Sequence, residues 1–263
     1  MWIREGYSIR QLSQQSGYGA ATLLRIIHYW LERPTVDQED LSAHKYLEID
    51  GTFLNGRQYG MVAIVDPQAN RVVDGSYGLK EGQTAMYHFC VALTQRGLQP
   101  RSVTIDGNPQ LQTMLQAIWP KVTIQRCLVH IQRQGLAWCR HHPKRTDARR
   151  LRELFLKVMA INTLKERERF LAAWEDWERR YGTRIATSRE TGWVFSDLKR
   201  ARSMLHKALP YMFAYLDDPA IPRTTNWLEG YFSRLKMRYR QHRGLSLAQR
   251  HNYFRWYFHL CQK

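Results

Sequence analysis

The chain reads as an α/β protein: a mixed five-stranded sheet with flanking helices, preceded by a small helical pair and interrupted by an all-helical block. Three observations predict this. The hydrophobic period changes from helical to alternating near residue 46. Three strand-like runs then follow one another with no helix between them. After them helix and strand alternate as far as about residue 140. A length of 263 residues suits one large domain with an appendage, and buries enough apolar surface to need no disulfide staple.

The elements follow in order. Residues 7–33 predict two short helices around a turn: Ser8 is placed to cap the first, and Ser16-Gly17-Tyr18 forms the turn. The second carries Leu23, Leu24, Ile26, Ile27, Trp30 and Leu31 and stops at Pro34. With Leu23 and Ile26 inward, Ala20, Thr22 and Arg25 face outward, as in a helix-turn-helix; an ordinary helical hairpin fits the same residues. Residues 35–45 are polar and read as a linker. Strands are expected at 46–53, 58–65 and 70–77. An amphipathic helix over 81–96 with Ala85, Phe89, Ala92 and Leu93 inward is closed by Gly97. Then come a strand at 101–105, a helix at 108–118, a strand at 121–125 and a helix at 128–140. This order is that of an RNase H-like fold, whose first three strands are antiparallel and whose crossovers make the sheet mixed. Residues 141–222 break the rhythm and read as a helical insertion, with Trp174, Trp177 and Trp193 adding bulk. Long helices are expected at 224–240 and 246–261. The segments are therefore 1–34, 35–140, 141–222 and 223–263.

The charge points to a partner. Forty Lys and Arg against 23 Asp and Glu leave a net charge of +17, and the sequence pI is about 10.0. Such an excess repels itself and is tolerated best beside an anionic polymer, of which nucleic acid is the commonest. With 44% hydrophobic and 12% aromatic residues the chain is no disordered basic tail. Cys90, Cys127, Cys139 and Cys261 form no C-x-x-C pair, which argues against a zinc ribbon and a secreted disulfide framework. Residues 1–6 lack the apolar run of a signal peptide, and no stretch approaches a membrane span. A reducing compartment beside DNA is expected.

Two aspartates then stand out. Asp50 is placed at the end of the first strand and Asp106 at the end of the fourth, 56 residues on. In the expected topology these strands are neighbours, so both carboxylates reach one edge of the sheet. Close carboxylates repel unless a cation lies between them, and such oxygens suit Mg²⁺ or Mn²⁺. Each Asp-Gly read alone is an ordinary turn. A third acid, Glu229, opens a helix; it completes a capping box on one reading and is a ligand on the other. Ser233, Lys236 and Arg240 follow it up roughly one face, and between Arg223 and Arg255 eight Lys or Arg face this single acid. Cys127 and His130, at the start of a helix and on one face, read as a zinc half-site, a packed structural pair near the site, or a DNA contact.

The pieces LEIDGT (47–52), TIDGNPQL (104–111), QRCLVH (125–130) and TTNWLEGYFSRLK (224–236), in this order, resemble DDE transposases of the Mutator-like group and their bacterial insertion-sequence relatives. The resemblance covers roughly residues 45–140 and 220–245. It implies an RNase H-like core with an insertion before the last acid. It also implies that Asp50, Asp106 and Glu229 are the catalytic, metal-binding triad for two Mg²⁺ (or Mn²⁺) ions, and that Cys127 and His130 are the group's C-x-x-H. The implied activity is cutting double-stranded DNA at element ends and joining the freed 3′-OH to a target, in a homo-oligomer that pairs two ends. Lys236 and Arg240 would hold phosphates near the metals. Arg25 would read a groove, and Arg133, Arg140, Lys144, Arg145, Arg149 and Arg150 would add salt-dependent backbone contacts. Many relatives carry a longer DNA-binding region before the core, often with a zinc ribbon. Here a minimal helical pair stands in that place, so incomplete end recognition and a shortened reading frame are expected. Two other functions fit the same residues: a nuclease that cuts without joining, and a non-catalytic DNA-binding descendant of a transposase.

Overall fold

A computed structural model describes residues 1–33, 35, 39–54, 59–79, 84–242 and 244–262 of the chain. Pro34, Gln58, Glu81 and Arg243, expected at a helix stop, a strand start, a helix start and in the basic segment 223–255, lie outside the described residues.

The chain opens with α1 (Trp2–Glu5), α2 (Ile9–Ser16) and α3 (Ala20–Leu31). Ser8 and Gln11 cap α2 reciprocally, and Gly17 ends it in the left-handed conformation at φ 74°. In α3 only Leu23 and Leu31 are buried, whereas Leu24, Ile26, Tyr29 and Trp30 are exposed. The expectation that Ile26 faces inward is therefore wrong, and Thr22, expected outward, is half-buried. α3 meets α13 through Leu31 and Trp30, and this contact leaves Ile26 outside the buried stripe.

The sheet comprises β1 (Tyr46–Leu54), β2 (Tyr59–Asp66), β3 (Arg71–Tyr77), β4 (Ser102–Ile105) and β5 (Thr123–Arg126). Its order is β3-β2-β1-β4-β5, with β1–β2 and β2–β3 antiparallel, and it is mixed. The expected neighbourhood of the first and fourth strands is the one found. Between strands run α4 (Thr84–Gln95) and α5 (Pro109–Ile118), the latter capped by Asn108. In α4 the buried residues are Met86, Cys90 and Leu93, while Ala85 and Ala92, expected inward, are exposed. The helix is turned by about one residue from the expectation, because bulkier Met86 and Cys90 bury more apolar surface than two alanines.

The remaining helices are α6 (Leu128–Cys139), α7 (Thr146–Lys157), α8 (Leu164–Trp177), α9 (Thr183–Thr187), α10 (Trp193–Ala208), α11 (Ala214–Asp217), α12 (Asn226–Tyr239) and α13 (Leu247–Leu260). No described helix is long and apolar enough to cross a membrane.

The chain divides into two compact units. The first holds Met1–Val103, Asn108–Val122 and Asn226–Lys263. In its core Met61, Ala63, Val65, Val72 and Tyr77 of the sheet meet Leu228, Tyr231 and Leu235 of α12 and Tyr253, Phe254 and Tyr257 of α13. The second holds Thr104–Gly107 and Thr123–Thr225. There α6 packs on α7 and α10 through Leu128, Ile131, Gly135 and Cys139. Gly135 is required, since a Cβ would lie 2.2 Å from the Phe155 ring. Trp174 and Trp177 stack at 5.5 Å and are buried, whereas Trp193, expected to add bulk, is exposed.

Candidate active site

Asp50 is not at a strand end. It lies in the middle of β1, opposite Ala63 of β2, and the strand continues through Gly51 to Leu54. Asp50-Gly51 is therefore no turn, and a buried carboxylate in a central strand, 7% exposed, calls for a function. Its Oδ1 accepts a hydrogen bond from the Gly51 N–H at 2.8 Å.

The face on which Asp50 lies follows from the register. Directly opposed residues share a face, so Asp50 lies with Ala63, and Thr52 with Met61. Ala63 and Met61 belong to the cluster that α12 covers. The Lys236 ammonium of α12 donates to Thr52 Oγ1 on that face. Glu229, half-buried, stands two turns before Lys236 on one stripe of α12. Within the first unit, then, the helix of Glu229 lies on the sheet face of Asp50. Ser233 and Arg240 are exposed, and Arg240 lies beyond the end of α12 in a 3₁₀ turn.

Asp106 follows β4, the strand next to β1 in the sheet order. Its main-chain oxygen is held from within the second unit. Arg126 Nη2 donates to the Asp106 main-chain oxygen at 3.1 Å. Burial lowers the Arg126 pKa, against which the charge of Asp106 acts. Cys127, at the N-terminus of α6, is buried; its Sγ accepts from the Thr225 N–H (3.3 Å) and hydroxyl (3.4 Å). His130 is half-buried one turn further on. All four cysteines are free and buried, and burial pushes the Cys90 and Cys139 thiols up to about 12.

Among the described residues no three His, Cys, Asp or Glu side chains are gathered tightly enough to hold a metal ion. The chemistry of the three acids nonetheless fits Mg²⁺. They are hard oxygen donors, and that ion is commonly held by one or two carboxylates completed by water and substrate phosphate rather than by a full protein cage.

The expected DNA contacts divide. Arg25, Arg133, Lys144, Arg149 and Arg150 are exposed. Arg140 pairs with Asp197 (2.6 Å), and Arg145 with both Asp147 (3.0 Å) and Glu190 (2.7 Å). Sequence reasoning missed the contact of Arg126 with Asp106, the Lys236–Thr52 bond and the buried His44–Asp66 pair (2.8 Å). None of these has a local spacing signal; each depends on the register of distant segments.

The family model described as "Transposase, Mutator family" matches residues 22–207. The chain belongs to the Mutator family of transposases. The matched span contains Asp50 and Asp106 and stops before Glu229. A probable transposase for an insertion sequence element of Corynebacterium diphtheriae is 29% identical over 76 residues, which are 28% of this chain and 22% of that protein. The match thus spans less than a quarter of that relative's length.

Proposed function

We propose that this Mutator-family chain is a DDE-type transposase that cleaves double-stranded DNA at insertion-sequence ends and transfers the freed 3′ end to target DNA. Asp50, Asp106 and Glu229 would hold two Mg²⁺ or Mn²⁺ ions on an RNase H-like core, with residues 141–222 as its helical insertion. The observation that carries this reading is that α12, with Glu229, lies on the face of β1 to which Asp50 belongs. The place of β4 beside β1 adds Asp106. When bound, such ions supply an activated water and stabilise the leaving oxygen of an in-line displacement.

The chain's own residues would do the rest. Lys236, fixed by Thr52, sets a positive charge beside Glu229's stripe, where a phosphate can be held. Arg240, Arg133 and Arg140 would engage the DNA backbone, each contact steepening the dependence of affinity on salt, and Arg25 would read a groove. The α2–α3 pair, with its Gly17 turn, supports a helix-turn-helix role for residues 1–34. The Cys127 contacts with Thr225 favour a structural part for Cys127 and His130 over a zinc site. Pairing two element ends calls for a homo-oligomer on DNA, working at the nucleoid in the cytoplasm.

The test is cleavage and joining of end-bearing DNA in Mg²⁺ or Mn²⁺ by the parent and by Asp50→Asn, Asp106→Asn and Glu229→Gln. Cleavage should fall by about 10³-fold or more in each variant, with DNA affinity kept. Variants that cut like the parent overturn the acid triad. Cutting without joined products makes the chain a nuclease, and a parent that binds without cutting makes it a DNA-binding descendant.

A further inference from the structure

Arg126 closes β5 and is only 8% exposed. Among the described residues its guanidinium meets no carboxylate in an ion pair; its one hydrogen bond runs from Nη2 to the main-chain oxygen of Asp106. Its Nε is buried without a hydrogen-bond partner. The group stands over Gly107, where an added Cβ would fall 1.8 Å from Arg126 Cζ. Gly107 also holds φ +108°, a conformation that side chains resist. From the other side the Cys127 N–H donates to the Ile105 oxygen at 2.8 Å. The last residues of β5 and the first of α6 thus grip the main chain of 105–107, all within the second unit.

A guanidinium kept only to fill space is a poor choice. Burying a charge with one donor unpaired and no carboxylate within ion-pair distance is costly, and an apolar side chain of similar volume would serve better. The charge, the fork and the glycine beneath it converge on one short segment, and that segment carries Asp106.

We propose that Arg126 is a positioning residue that fixes the main chain of 105–107, so that Asp106 is presented in one orientation, and that it acts on the reaction only through that acid. The inference rests on the reading of Asp106 as a metal ligand.

The test uses the full chain with Arg126→Met, Arg126→Lys, Gly107→Ala and the double variant Arg126→Met/Gly107→Ala, beside Asp106→Asn. Three quantities are measured: single-turnover cleavage in Mn²⁺ at saturating protein, Kd for the same DNA with its salt slope, and hydrogen exchange of the 104–108 amides without DNA or metal. Arg126→Met should cut about 30-fold or more slowly, the scale of a misplaced reacting group, with Kd within about twofold. Its 104–108 amides should exchange about tenfold faster while the rest of the unit stays protected. Arg126→Lys, which keeps the charge and can still reach the Asp106 oxygen, should lose no more than about fivefold in rate and exchange about threefold faster. The double variant should fall no lower than the worse single, because both changes break one contact.

A raised Kd with a shallower salt slope would make Arg126 a phosphate ligand and overturn the proposal. So would unchanged exchange at 104–108, or protection lost throughout 123–225. If Arg126→Met does not fold, Arg126→Lys decides alone, by faster exchange confined to 104–108 or by none. An inactive Asp106→Asn beside a fully active Arg126→Met sinks this inference only. An Asp106→Asn variant that cuts like the parent sinks the acid reading, and exchange then still shows whether Arg126 grips the segment.

Discussion

The aromatic core beneath α12 and α13 and the helical interior around Asp147 solve the same problem by opposite means. The first is built from rings: Tyr231, Tyr239, Tyr253, Phe254, Tyr257 and Phe258 close on Met61, Val65 and Val72, and Arg238 reaches the Tyr257 hydroxyl at 3.2 Å. The second centres on a carboxylate only 2% exposed. Asp147 takes two hydrogen bonds from Arg145 (3.1 and 3.0 Å), one from Arg184 (2.6 Å) and one from the Ala148 N–H (2.8 Å), while its own main-chain oxygen accepts from Trp177 Nε1 (2.9 Å). Two β-strand faces and two ring-rich helices can exclude water by area alone. The Arg- and Glu-rich helices bury apolar residues too, among them Phe155, Trp174 and Trp177, but they also bury one charge and surround it with partners. The ring core should answer to volume, and the helical interior to pH.

The largest effect is expected from volume. Phe254 is fully buried, with ring centroids of Tyr77 and Tyr239 each 4.8 Å away. Phe254→Ala should cost about 3–5 kcal/mol, read from denaturant unfolding, since the cavity cannot be refilled from a sheet on one side. Hydrogen exchange should place the loss in β1–β3, α12 and α13. If α7–α9 lose protection equally, the two interiors are one cooperative structure and the contrast fails.

Next comes Asp147. Asp147→Ala should cost about 2–3 kcal/mol, less than the loss of the ring, because Arg145 and Arg184 are partly exposed and can turn to water. The pH dependence sharpens this. Burial works to raise the Asp147 pKa, but the hydrogen bonds of Arg145 and Ala148 and the charges of Arg145 and Arg184 prevail and hold it below the usual range. A carboxyl lowered on folding adds stability that is whole at neutral pH. That stability begins to go as the pH drops below the unfolded value of about 3.9, and is lost once it passes below the folded one. Protection of α7–α9 should therefore fall in acid in the parent and be flatter in Asp147→Asn. An equal acid slope in the two proteins would assign the dependence to other carboxylates, such as Asp66, whose pKa is also held low.

These contrasts mark how far the sequence could be read. Short apolar or alternating runs bounded by turn residues located all five strands to within about two residues, although β4 and the middle of β2 are buried on both faces and carry no alternation in burial. The neighbourhood of β1 and β4 follows from topology and was legible too. Local rules fail where burial is decided by a distant partner. Ile26 reads as core but stays 43% exposed beside the helix that α3 packs on, Ala85 and Ala92 give way to Met86 and Cys90, and Asp50-Gly51 reads as a turn but continues β1. Asp147 looks like one more charge on a basic helix, since Arg184, its partner, lies 37 residues on. At the candidate site the acids were visible as motif residues, whereas the Lys236–Thr52 bond joins residues 184 apart and could not be.

The smallest effect carries the opposite sign. Tyr253 is fully buried, and its hydroxyl has no hydrogen-bond partner among the described residues. Burial accordingly drives its pKa far above the usual phenol value, because a phenolate there would be stranded among rings. The ring itself is well used, with Phe254 at 5.1 Å and Trp2 edge-on at 5.5 Å. Tyr253→Phe keeps those contacts and removes only the desolvated hydroxyl, so it should leave stability unchanged or raise it by up to about 1 kcal/mol. A loss of more than about 0.5 kcal/mol in denaturant unfolding would mean that the hydroxyl is satisfied by water inside the cluster. The ring core would then also depend on a buried polar group, as the helical interior depends on Asp147, and the difference between the two would be one of degree.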